Sequence, residues 1–213
     1  MSQSIPLRLA TLLTFAVLAQ PAQSAIIFSN MPFGPDPVGV GAIPVPGLFL
    51  YSATNFTPTM DYRLTSLVLP LAVVSGPTEI DVLLLSDAGN NPGSVIEMFH
   101  LGGFPLAGPL FPTMASSLLQ PILNGGTQYW VAVTGGTPTT FGVWGLTLFT
   151  GDPSAGGATR TINQGVDQGW TRNSGTRVGA VQLEGELVPE PAPIFLTTAA
   201  FVVFGILRKR FTS

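Results

Sequence analysis

Across the middle of the chain, hydrophobic residues alternate with polar ones, and glycine and proline interrupt the alternation at short intervals. Thr78 to Asp87 reads TEIDVLLLSD, with Ile80, Val82 and Leu84 on one face and Glu79 and Asp81 on the other. Thr127 to Thr134 reads TQYWVAVT, rich in aromatic and β-branched residues. Thr139 to Phe149 sets Trp144, Leu146 and Leu148 on one face. Arg177 to Leu187 sets Val181, Leu183 and Leu187 against Gln182, Glu184 and Glu186. Weaker strands are expected at Leu48 to Phe56, Tyr62 to Val74, Ser94 to Leu101 and Gln168 to Asn173. With 25 Gly and 20 Pro, long helices are scarce and turns frequent. Period-2 segments spaced by turns predict an all-β fold, an antiparallel β-sandwich of jelly-roll-like form. The turn signals are Asp87 to Gly93, Asn124-Gly125-Gly126 and Gly135-Gly136, whose residues tolerate positive φ. Met31 to Gly47 holds five prolines and reads as an irregular loop. Pro112 to Leu123 reads as a short helical turn or an edge strand, stopped by Pro121.

The two ends differ from the middle. Met1 to Arg8 carries one basic side chain and the terminal amine, and Leu9 to Leu18 is an apolar run. Pro21 and Ala22-Gln23-Ser24-Ala25 follow, with small residues where a signal peptidase requires them. Residues 1–24 therefore read as a signal peptide cleaved after Ser24. The other end reads Val188-Pro189-Glu190-Pro191, then fifteen uncharged residues from Pro193 to Leu207, then Arg208-Lys209-Arg210. As a helix that run spans about 22 Å, short of a hydrocarbon core of about 30 Å, with snorkelling arginines to cover the difference. Its apolar residues point all round, so a membrane helix is expected rather than a core helix. The basic triplet would stay cytoplasmic and the body outside.

The tail Val188 to Ser213 resembles the PEP-CTERM sorting signal of Gram-negative bacteria, through the VPEP motif, the short hydrophobic helix and the basic end together. The resemblance implies a membrane exosortase as partner, recognising Val188, Pro189, Glu190 and Pro191 and cutting near them. It makes 188–213 a sorting domain and 25–187 the mature body. That body is similar to the choice-of-anchor R type of extracellular β domain, through Val82 to Glu97 (VLLLSDAGNNPGSVIE), Leu123 to Trp130 (LNGGTQYW) and the later Trp144. This second resemblance implies no enzymatic activity.

Composition limits the chemistry. Only 9% of residues are charged, and cysteine is absent, which excludes disulfides, thiol catalysis and zinc–thiolate sites. The body from Ala25 to Leu187 holds ten acids, four arginines and no lysine. A net charge of −3 and a pI near 4.9 argue against a nucleic-acid partner. Glu79/Asp81 and Glu184/Glu186 are i, i+2 pairs about 7 Å apart, a spacing glycosidases use. A solvated outer face is the expected reading, because strand alternation alone supplies no pocket to raise a pKa. Asp87-Ala88-Gly89-Asn90-Asn91 offers oxygens to a calcium ion but lacks the EF-hand spacing, so a hairpin turn is expected and no metal is assigned. Asp36, Asp152 and Asp167 are also expected in loops, where they could join such a site. The lone His100 reads as a structural histidine, and Asn55-Phe56-Thr57 as a chance sequon. Trp130 and Trp144 suit a core, whereas Trp170 has polar neighbours and, with Arg172 and Asn173, is the candidate carbohydrate-binding set.

The sequence thus points to an exported protein, inserted in the membrane through its C-terminal helix before sorting and then at the cell surface or outside the cell. Its body is expected to be non-catalytic, structural or adhesive, and to need no cofactor. A carbohydrate-binding module with exopolysaccharide as partner is the alternative, and a glycan-active hydrolase the third.

Overall fold

The computed structural model describes residues 24–43, 47–147, 157–173 and 178–189. The expected signal helix, the C-terminal helix, Glu190, Pro191 and Arg208-Lys209-Arg210 lie outside them, as does Asp152. The described residues form thirteen strands and no helix: β1 (Ser24–Ser29), β2 (Phe33–Ala42), β3 (Leu48–Phe56), β4 (Tyr62–Ser75), β5 (Glu79–Asp87), β6 (Pro92–Gly102), β7 (Phe111–Ser116), β8 (Ile122–Leu123), β9 (Tyr129–Gly135), β10 (Phe141–Thr147), β11 (Gly157–Asn163), β12 (Val166–Asn173) and β13 (Gln182–Leu187). They build one curled antiparallel sheet in the order β1-β13-β4-β10-β2-β3-β9-β5-β6. The hairpin β11–β12 joins through β3, and β7 and β8 pair with β4.

The curl turns β4, β10 and β13 toward β3, β5 and β9, and alternation decides what each face buries. Leu64, Leu67, Leu69 and Leu71 of β4 meet Ile80, Val82 and Leu84 of β5 and Val131 and Val133 of β9 in the main core. Every residue of β9 is buried. Its other face, Trp130 and Ala132, joins Leu83 and Leu85 of β5 and Ala53 and Ala158 in a second cluster, with Tyr51 and Trp170 against it. A strand buried on both faces explains why Tyr129 to Val133 reads as a continuous apolar run. Fully burying one such leucine or valine contributes about 1.5–3 kcal/mol.

Trp144 is the largest closure of the main core. Its Nε1 donates to the Ala180 carbonyl at 2.8 Å, so the one polar atom of the ring is satisfied. The ring lies against Gly179, where a Cβ would fall inside the indole. The Gly179 carbonyl in turn accepts from Thr54 Oγ1 at 3.0 Å and Asn30 Nδ2 at 3.1 Å.

The expected strands form, and Ser24–Ser29, Phe33–Ala42 and Gly157–Asn163 form strands beyond them. Phe33 to Ala42 is a strand despite Pro35 and Pro37. It pairs with β10 along one side, while its other side meets β3 only at Gly41 and Ala42. Prolines are tolerated on such an edge because no ladder N–H is demanded there. Asp36 therefore lies in a strand rather than a loop. Phe111–Ser116 and Ile122–Leu123 are two stretches of edge strand on β4, so the edge-strand reading of this region holds and the helical one does not. Gly157–Asn163 pairs with β3 along seven residues. Asp87 to Asn91 makes the expected hairpin turn: the Ala88 N–H donates to the Asn91 carbonyl, and Gly89 and Asn90 both sit at φ 68°.

The long strand β4 sets the axis of the molecule. At its start, Tyr62 pairs with Leu187 of β13, and β13 pairs with β1. At its end, Ser75 meets Phe141 of β10, which pairs with Gly41. Fourteen residues at about 3.3 Å each put these two ends about 40 Å apart.

Candidate functional site

The end of the molecule away from β1 and β13 carries an open cleft of about 770 Å³. It is lined by the end of β2, the start of β3, the turn from β9 to β10 and the β11–β12 hairpin. Phe49, Tyr51, Leu48 and Ile162 supply the apolar wall, and Asp81, Thr134 and Thr137 the polar groups. This volume lies within the range of small-molecule sites, about 300–1,000 Å³.

The wall is braced from behind. Phe49 meets the Tyr51 ring edge-on at 5.6 Å, and Trp170 meets it edge-on at 6.1 Å. Arg160 stands over the Tyr51 ring, 5.3 Å from its centre, a cation–π geometry. Its guanidinium forks onto Asp167, through Nε to Oδ1 at 3.0 Å and Nη2 to Oδ2. The guanidinium, with the Gly169 N–H, holds the Asp167 carboxyl at about 2, below its ordinary value. Register explains the geometry: Tyr51 pairs with Arg160 across β3–β11, and Arg160 with Trp170 across β11–β12.

At the polar rim, Asp81 and His100 face each other across β5–β6, with His100 Nδ1 2.7 Å from Asp81 Oδ1. His100 Nε2 lies 3.7 Å from Glu79 Oε2. The hydrogen bond to Asp81 raises the pKa of His100; burial opposes it slightly, and the charges of Asp81 and Glu79 add to the rise. The histidine is thus tied to the first of the two carboxylate pairs. Asp81 can accept a hydrogen bond from a hydroxyl in the cleft while holding the imidazole.

The other candidates fall elsewhere. Trp170 packs behind Tyr51 rather than lining the cleft. Arg172 is exposed further along β12, and Asn173 pairs in register with Gly157. The expected trio therefore does not converge on the cleft. Glu184 accepts from Ser66 Oγ at 3.1 Å and from Gln182 Nε2 at 2.7 Å, on the sheet near the chain ends. Trp130 is fully buried, with Nε1 donating to Asp87 Oδ1 at 2.8 Å. Asp87 also accepts from Gln128 Nε2 at 2.8 Å and from the Asn90 N–H at 2.9 Å. Burial pushes its pKa up, but the hydrogen bonds from Trp130, Asn90, Gln128 and Gly89 outweigh it and the net shift is downward. Those oxygens serve the turn. Among the described residues no group of three His, Asp or Glu side chains is placed to hold a metal.

Of Val188 to Pro191, expected as a sorting motif, Val188 and Pro189 are described, and the Val188 N–H donates to the Asp61 carbonyl at 2.9 Å. Sequence reasoning passed over Phe49, Tyr51 and Arg160. The available signal was the i, i+2 spacing of Phe49 and Tyr51, which places two rings on one face of a strand. No family model matches the chain, and no curated protein matches it.

Proposed function

We propose that this is an exported surface or extracellular-matrix protein, sorted by a membrane exosortase, whose body is a non-catalytic, jelly-roll-like β-sandwich with a structural or adhesive role. The observation that carries the reading is the pairing of Ala25 with Gly185. The first and last strands lie side by side and antiparallel, so the start of β1 and the end of β13 share one end of the body. β13 ends at Leu187, and cleavage after Val188 would remove no strand. The apolar tail and its basic end belong on this reading to a membrane-inserted precursor, and the released body to the cell surface. The test is intact mass and cell fractionation in an exporting host with and without exosortase. Loss of both end segments only with exosortase is expected. Retention of the tail in both strains would overturn the sorting reading.

A carbohydrate-binding module is the second reading. The aromatic-walled cleft, at the end of β4 away from the tail, favours it. A body attached or released through its tail would present that end outward. Retardation in polysaccharide gels tests it.

A further inference from the structure

We propose that the cleft between the start of β3, the β9–β10 turn and the β11–β12 hairpin binds a neutral saccharide chain, with the Phe49 and Tyr51 rings as its stacking wall and the Asp81 carboxylate as its hydroxyl acceptor. This deepens the carbohydrate reading by moving the site from Trp170, Arg172 and Asn173 to different residues and by naming the ligand class.

The chemistry of the lining selects the ligand. Asp81 is the one charged residue among those that line the cleft. An anionic chain, such as a uronate or phosphate polymer, would find no cation in the lining and a carboxylate against it. A purely apolar ligand would cover the Asp81 oxygen that does not meet His100 without supplying a donor, and burying a polar atom without a hydrogen bond is costly. A pyranose ring satisfies both kinds of wall. Its axial C–H face is apolar and packs on an aromatic ring, and its hydroxyls donate to a carboxylate. The 770 Å³ of space suits several linked rings better than one.

The wall is also fixed before any ligand arrives. Tyr51 is flanked by Phe49 and Trp170, and Arg160 is clamped over it by Asp167. Asp81 is oriented by His100. Fixed side chains lose little freedom on binding, which favours affinity at a given contact area. Trp170 acts here as a positioning residue behind Tyr51.

The experiment uses the full-length protein, purified from the exporting host in a detergent without a sugar headgroup. Its migration is followed in native gels containing dextran, mixed-linkage β-glucan or galactomannan, with alginate as the acidic comparison. Phe49→Ala and Asp81→Asn are run beside wild type, each checked by thermal melting, and Trp170→Ala and Arg172→Ala beside them. Retardation by a neutral polysaccharide is expected, weakened roughly tenfold in both cleft variants at a temperature where each is folded, and little affected by Arg172→Ala. Neutral-polymer binding that survives Phe49→Ala and Asp81→Asn but is abolished by Arg172→Ala would overturn the cleft assignment and leave the carbohydrate reading standing. Retardation by alginate alone would overturn the ligand class. Retardation by no polysaccharide would overturn both. If Phe49→Ala lowers the melting temperature, the isosteric Asp81→Asn decides the question alone.

Discussion

Glu97 is a buried carboxylate with a structural task, and its replacement separates charge from shape. The side chain is 4% exposed and points from β6 toward the segment between β7 and β8. Oε1 accepts from the Leu118 N–H at 2.7 Å and the Leu119 N–H at 3.1 Å, and Oε2 from Ser117 Oγ at 2.6 Å. Ser117 Oγ also accepts from the Gln120 N–H at 2.9 Å. One carboxylate thus shapes the excursion that interrupts the edge strand. In Glu97→Gln the amide oxygen can keep both backbone donors, and the amide nitrogen can donate to Ser117. Three charge-assisted bonds become neutral ones, while the desolvation of the charge is relieved, so a loss of about 1–2 kcal/mol is expected. Glu97→Ala removes every acceptor from three partly buried donors, and about 3–4 kcal/mol is expected. Urea denaturation at neutral pH measures both, and hydrogen exchange at Leu118 and Leu119 shows whether the loss is local. Equal damage from the two substitutions would refute the reasoning, because shape would then count for nothing. So would an alanine variant within about 0.5 kcal/mol of wild type.

Two further outcomes follow from other contacts. Gly179→Ala forces a methyl into the Trp144 ring and is expected to cost about 3 kcal/mol, read by denaturant midpoint and by a changed indole fluorescence. His100 has a raised pKa in the folded chain, against an ordinary value of 6.5. Its pairing with Asp81 and Glu79 therefore stabilises fully below pH 6.5, and that contribution disappears as pH rises through the raised value. An NMR titration should place the His100 midpoint above 6.5, and His100→Gln should flatten the dependence of melting temperature on pH in that window.

The fold was legible where one face of a strand was apolar and turn residues stood at its ends. β5, with Ile80, Val82 and Leu84 inward and Asp87-Ala88-Gly89-Asn90-Asn91 after it, is the clearest case. β2 was not legible, because prolines argue against strands in general and only the pairing partners show that this stretch is an edge. β11 was missed for a different reason: Gly157–Asn163 (GATRTIN) has only Ala158 and Ile162 as apolar side chains and becomes a strand through its seven-residue pairing with β3. Trp130, expected in the core, and Asp87, expected in a turn, are joined by one hydrogen bond that no spacing in the sequence announces. The cleft escaped sequence reasoning because its walls come from residues 42, 43, 47–49, 51, 81, 134–138, 162 and 165, which only the curl of the sheet brings together. Trp170 drew attention as an exposed-looking indole, yet the ring at the cleft is its neighbour Tyr51.

The pairing of β1 with β13 also sets an order of events in folding. Ser29 and Gln182, hydrogen-bonded in the finished sheet, are 153 residues apart along the chain. Hairpins such as β5–β6 and β11–β12 can close on contacts within a few tens of residues, in about 1–10 microseconds each. The first strand, by contrast, has no partner until the last one has arrived, and loop closure over such a span slows the final step. Folding of the isolated chain should therefore run in milliseconds to seconds, with β1 protected last. A ribosome-bound chain would hold an unzipped edge until its final strand emerged.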